Sequence, residues 1–139
     1  MRQPDPDREQ AVNELDAAGL KTGLWEELDP HGGTVAGEYK DGRRTGLWRH
    51  LFRDGGVRSE FHYVDGELTG ESAWFRPSGE LRQQGGFLNG EKHGHWKRWT
   101  DSGSLIDEGE FELGVKTGSW TYYAPDGSIK KTTNHRPGS

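Results

Sequence analysis

The chain has 139 residues, a formal net charge of −5 and only 29% hydrophobic residues, yet it carries six Trp and 22 Gly. It has no cysteine, which excludes a disulfide framework, a thiolate zinc site and a thiol nucleophile. No apolar run approaches the ~18 residues of a membrane-spanning helix, and the acidic balance is wrong for general nucleic-acid binding.

Residues 1–18 stand apart from the rest of the chain. Their first ten are polar and acidic rather than a signal peptide, so a cytoplasmic location is expected. Asp7–Ala18 (DREQAVNELDAA) places Ala11, Val12, Leu15 and Ala18 near one helical face, with Gly19 as a stop. That predicts a short amphipathic helix capping the first sheet edge; the alternative is an acidic arm.

From Gly19 onward the chain repeats. Gly-x-x-x-Gly recurs at Gly19/Gly23, Gly42/Gly46, Gly66/Gly70, Gly90/Gly94 and Gly114/Gly118, so the second glycines lie 23 residues apart once and 24 thereafter. With the second glycine as position 0, position +2 is Trp25, Trp48, Ser72, Trp96 and Trp120, and position +5 is Leu28, Leu51, Phe75, Trp99 and Tyr123. Position +11 is Thr34, Val57, Leu81, Leu105 and Ile129. Position +17 is Tyr63, Phe87 and Phe111, while the first unit is one residue short and places Tyr39 at +16.

Each unit carries two turn signals. Asp54-Gly55, Ser78-Gly79, Ser102-Gly103 and Asp126-Gly127 mark the first, with Pro30, Pro77 and Pro125 at +7. Asp41-Gly42, Asp65-Gly66, Asn89-Gly90 and a weaker Leu113-Gly114 mark the second. Each unit therefore reads as two strands, and the domain as an all-β, single-layer antiparallel meander of about ten short strands.

Alternation puts Val57, Phe61 and Tyr63 on one face and Arg58, Glu60 and His62 on the other. A two-residue first turn makes Trp at +2 face +15. A three-residue turn, favoured by the prolines, makes +5 face +11. The organisation is an acidic arm or capping helix over 1–18, repeats over 19–133 and a frayed tail over 134–139.

Gly94-His-Trp96-Lys-Arg-Trp99, Ser102-Gly103-Ser-Leu105 and Gly109-Glu-Phe111 to Gly114 resemble the bacterial MORN-variant repeat. The resemblance covers about residues 19–133, with Ser72 in place of Trp as a departure. It implies a β-hairpin repeat solenoid. It also implies an interaction module, with antitoxins of the YwqK type and scaffolds among similar proteins. Membrane-lipid binding is a further proposal for such repeats.

No hydrolase, P-loop, zincin or dinucleotide motif is present, so no enzyme activity and no cofactor are expected. His93 and His95 are too few for a metal site, and His50 and His62 read as sheet-surface residues. Glu108, Glu110 and Glu112 line one strand face, with Lys97 or Arg98 available to relieve their repulsion. Trp74-Phe75, Tyr122-Tyr123 and Trp96/Trp99 put rings on both faces.

Interface centres favour Trp and Tyr. These six aromatic residues and three glutamates are therefore the candidate partner-binding set. The expected partner is a protein, such as a toxin or effector encoded nearby, or a second copy. Arg43, Arg44, Arg49 and Arg53 form only a modest basic cluster, so membrane binding is the lesser reading. Stacking predicts that Trp99→Ala or Trp120→Ala lowers stability by ~2–5 kcal/mol.

Overall fold

The turns establish the architecture. The computed structural model describes residues 12–30 and 32–136. Their strands are β1 (Glu14–Leu15), β2 (Lys21–Leu28), β3 (Thr34–Lys40), β4 (Arg43–Leu51), β5 (Val57–Val64), β6 (Glu67–Leu68), β7 (Gly70–Phe75), β8 (Leu81–Leu88), β9 (Glu91–Lys92), β10 (Gly94–Trp99), β11 (Leu105–Glu112), β12 (Val115–Tyr123) and β13 (Ile129–His135). They form one antiparallel sheet in the order β1-β2-β3-β4-β5-β7-β8-β10-β11-β12-β13, with β6 on β5 and β9 on β8. Among the described residues there is no helix.

Thirteen strands replace the expected ten. The ten repeat strands are all present. β6 and β9 are the leading halves of repeat strands interrupted at Thr69 and His93, and β1 is an addition before the first repeat.

The first turn is a three-residue loop throughout. The Phe52 N–H donates to the Gly56 carbonyl at 2.7 Å and the Gly55 N–H to the Phe52 carbonyl at 2.9 Å. The same pair of bonds closes Asp29–Gly33, Arg76–Glu80, Thr100–Ser104 and Ala124–Ser128. Pro30, Pro77 and Pro125 open three of these loops, where their fixed φ suits a type I turn.

Both alternatives for facing residues hold together. Trp99 pairs with Leu105, but Arg98 pairs with Asp107 and Trp96 with Gly109. Ile106 is thus an extra residue, and the same shift recurs in the second, third and fifth units. Partners share a face, so this bulge turns position +11 away from +13, +15 and +17. Val57 therefore leaves the face of Phe61 and Tyr63, contrary to simple alternation. The first repeat pairs without a shift from Gly23–Tyr39 to Leu28–Thr34, so its missing residue is the bulge residue.

The second turns have two residues with positive φ: Asp41 (52°) and Gly42 (77°), Asp65 and Gly66, Asn89 and Gly90, and Leu113 (47°) and Gly114. That is the type I′ pattern, which suits Asn or Asp at the first site and penalises a branched apolar side chain. Leu113 is 53% exposed. Leu113→Asn is expected to stabilise by ~0.5–1 kcal/mol, raising Tm by ~2–4 °C in a thermal melt. Successive turns are stitched together: the Gly42, Gly66, Gly90 and Gly114 N–H groups donate to the carbonyls of Lys21, Arg44, Leu68 and Lys92.

The predicted N-terminal helix is not formed. Its first part, Asp7–Ala11, lies outside the described residues. In the remainder, Asn13 has φ 61° and Glu14–Leu15 pairs with Thr22 and Lys21. Asp16–Leu20 closes with the bonds of a first turn, and the Asp16 carboxylate accepts the Ala18 and Leu20 N–H groups at 2.9 Å. Side-chain competition by Asp16 for these donors defeats the helical preference of the Ala pair. The Asn13 amide acts as a strand substitute: it accepts the Glu26 N–H at 2.8 Å and donates to the Glu26 carbonyl at 3.0 Å.

The core is a row of indoles on one face. Trp48, Trp96 and Trp120 are 0%, 2% and 3% exposed. Each crosses a glycine of the preceding repeat. A Cβ on Gly37, Gly85 or Gly109 would fall inside the Trp48, Trp96 or Trp120 indole. Each indole N–H then donates to the next carbonyl, at Glu38 (3.1 Å), Gly86 (3.0 Å) and Glu110 (2.9 Å).

The third repeat departs from this rule in a compensated way. Phe61 occupies +15 of the second repeat, where Gly85 and Gly109 stand in the third and fourth, and Ser72 occupies +2 of the third, where the other repeats have Trp. Trp74, two residues on and on the same face, stacks on Phe61 at 5.3 Å and on Trp96 at 5.6 Å.

Candidate functional site

The sheet presents two different faces. On the Trp face the rings of Trp25, Tyr39, Trp48 and Tyr63 meet edge to face in one run. Phe61, Trp74, Phe87, Trp96, Phe111 and Trp120 form a second. Position −2 supplies a cation over the rings in four repeats. Lys21 lies 4.6 Å from Trp25, Arg44 4.2 Å from Trp48, Lys92 4.8 Å from Trp96 and Lys116 4.5 Å from Trp120. Such contacts stabilise by ~0.5–1 kcal/mol at partly exposed sites. The third repeat has Leu68 at this position.

The candidate residues separate by face. Trp96 is core, Trp74 is half-buried in the ring run, and Tyr122 shares the Trp face under Lys131 at 5.0 Å. Alternation places Phe75, Trp99 and Tyr123 on the second face, with Glu108, Glu110 and Glu112. All three of these rings are half-buried, and none stacks on another ring among the described residues. Trp120 is therefore a stability residue, whereas Trp99 is half-buried and packs against no other ring among the described residues.

The glutamates are relieved by His95 rather than by Arg98. The His95 ring bridges Glu108 at 2.8 Å and Glu110 at 2.9 Å, and the Tyr123 hydroxyl donates to Glu108 at 2.6 Å. Lys97 pairs directly with Glu108 across the strands. Arg98 lies on the Trp face, where it forms a bidentate pair with buried Asp107 at 3.0 and 2.6 Å.

Desolvation pulls the His95 pKa down, but hydrogen bonds to Glu108 and Glu110 outweigh it and hold it above the ordinary 6.5. The Tyr123 and His95 hydrogen bonds hold Glu108 below 4.5. The His95 contribution is complete below the unfolded value and is lost as pH rises through the raised folded one. The Glu108 contribution is complete above its unfolded value and is lost as pH falls through the lowered folded one. The cluster therefore supports the fold most fully between pH 4.5 and 6.5. In melts at pH 5.5 and 8.5, wild type is expected to lose more stability on going to high pH than His95→Gln does, by less than ~1 kcal/mol given the exposure.

A groove of about 700 Å3 crosses the Trp face at the second and third repeats. Phe61 and Trp74 line it beside His50, Arg58, Arg76 and Arg82, and Phe75 reaches its edge. His50 is not a plain surface residue: it stacks on Phe61 at 5.6 Å and lies 3.5 Å from the Asp29 carboxylate. Desolvation lowers its pKa against the pull of Asp29.

The sequence had pointed instead to Arg43, Arg44, Arg49 and Arg53. These are dispersed: Arg44 covers Trp48, and Arg49 pairs with Glu60 at 3.4 Å on the other face. The missed signal was the repeat position. Arg58 and Arg82 are the bulge residues of adjacent hairpins. Among the described residues no three His, Asp or Glu side chains are grouped to hold a metal ion.

The family model described as MORN repeat variant matches residues 92–112, which run from β9 to the end of β11. No curated protein matches the chain. Among solved structures it is similar to a mutant of S. aureus TarM in complex with fondaparinux, alpha-GlcNAc-glycerol and UDP. The identity is 13% and the TM-score 0.42, over 64% of this chain and 18% of that one. A second crystal structure of TarM gives 13% identity and a TM-score of 0.40, over 63% and 17%. The chain spans less than a fifth of the length of those proteins.

Proposed function

We propose that this chain is a non-enzymatic protein-binding module. The observation that carries this reading is the second-face row of Phe75, Trp99 and Tyr123. Its rings have no sheet or helix over them among the described residues, and the Tyr123 hydroxyl donates to Glu108 of the Glu108–His95–Glu110 cluster. Half-exposed aromatics flanked by charge are the usual composition of an interface centre and rim. The MORN-type repeat over residues 92–112 agrees with a binding role, since such repeats mediate protein or membrane binding.

Four cations of the Trp face, Lys21, Arg44, Lys92 and Lys116, lie over its own rings, which favours a protein over a lipid surface. In its finer form the proposal is antitoxin or immunity-type neutralisation, in which the module covers a working surface of its partner. That form rests on the sequence resemblance alone. The test is capture from the native host with wild type and with a Trp99→Ser/Tyr123→Ser variant, with light scattering on both. One stoichiometric partner lost in the variant supports the reading. Recovery of the chain alone as a dimer turns it into a homotypic scaffold.

A further inference from the structure

We propose that the arginine-lined groove on the Trp face docks an acidic segment of a partner protein, carboxylates on Arg58 and Arg82 and an apolar side chain on Trp74. The proposal rests on the protein-binding reading but uses the opposite face from Trp99 and Tyr123, so the two fail separately.

Charge reverses sign here. The chain is net negative, yet the groove gathers Arg58, Arg76 and Arg82 with His50 against one lining acid, Asp29. Arg58 reaches Asp29 only at 4.0 Å, and Arg82 is exposed and makes no ion pair among the described residues. Arg76 is held in place by the Asp101 carboxylate and by the Trp99 carbonyl at 2.8 Å.

Register explains the convergence. Arg58 and Arg82 occupy the same bulge position one repeat apart, so both project at one level of the sheet. The following repeats carry Ile106 and Lys130 there, so the paired arginines belong to this groove alone. The floor between them is apolar because Phe61 and Trp74 stack where the regular repeat has a glycine crossed by an indole.

A site that joins guanidinium forks to an aromatic floor matches carboxylates interleaved with apolar side chains. A long uniform polyanion gains little from so short a patch and is repelled by the surrounding net charge.

The test uses fluorescently labelled hexapeptides alternating Glu with Leu, Phe or Val, and their Gln counterparts, titrated against the full chain by anisotropy. The Glu peptides are expected to bind at least tenfold tighter than the Gln peptides and to weaken with salt. Arg82→Gln is expected to weaken them several-fold, and Arg58→Gln/Arg82→Gln at least tenfold. Arg49→Gln, on the other face, is expected to leave them unchanged. Arg82 has no ion pair to lose among the described residues, so Arg82→Gln reports on binding even if the double variant melts early.

The proposal is overturned if no Glu peptide binds saturably, or if Glu and Gln peptides bind alike. It is also overturned if the arginine variants bind as wild type does, or if phosphatidylserine vesicles take up the protein through these arginines while the peptides do not.

Discussion

Gly85→Ala is expected to destabilise the protein nearly as much as Trp96→Ala, which itself should cost ~3–5 kcal/mol as loss of a fully packed aromatic. The new methyl is fixed to the backbone and occupies the space of the Trp96 indole. It is accommodated only by lifting that ring off β8, which also breaks the indole N–H bond to the Gly86 carbonyl.

The informative measurement is a double-mutant cycle by urea melts. In the Trp96→Ala background, Gly85→Ala should be neutral or slightly stabilising, because glycine in a strand interior costs ~0.5–1 kcal/mol relative to Ala. Strictly additive losses would show that the glycine and the indole act independently. Phe61 and Ser72 are the inverted version of the same rule within this sequence.

The second large effect concerns Asp107. It is 2% exposed on the Trp face and takes both oxygens to the Arg98 guanidinium. Arg98→Met is expected to cost about 3 kcal/mol, because it leaves a buried carboxylate without its ion partner. The value lies toward the lower end for such pairs because the guanidinium is half exposed. Arg98→Met/Asp107→Leu should recover most of the loss in the same melts, since two apolar side chains of similar reach replace the pair. Failure of the double variant to recover would assign the loss to packing of the arginine stem instead.

The period and the places of both turns were legible because each depends on residues close in sequence, whereas the length of the first turn and the buried face were left open. Asp41-Gly42 dictates its turn wherever it occurs, and Trp at +2 needs only the spacing. The bulge at Arg58, Arg82, Ile106 and Lys130 was not legible, since an extra residue is defined only against the partner strand. It moved Val57 and Leu105 to the second face and brought two arginines together.

The helix expected over Asp7–Ala18 failed, in its described part, for a local reason visible only in three dimensions. Asp16 and Asn13 satisfy backbone groups of a hairpin. Of the groove, Phe61 in a glycine position and Trp74 displaced from +2 were readable. The arginines around them required the register.

The exchange of Phe61 and Ser72 behaves like a stacking fault in a layered crystal. No ring contact joins Tyr63 to Phe61 or Trp74 among the described residues, so the aromatic order runs as two blocks rather than one. The third repeat also lacks the cation of its neighbours. A perfectly periodic chain would close over its own surface, with each indole filling the space left by the glycine before it. The fault leaves a recess of the Trp face at the seam between blocks. Amide exchange should then divide the sheet into two protection classes that meet near β5 and β7. Specificity in such an array enters where the pattern breaks, because only there does the surface differ from one repeat to the next.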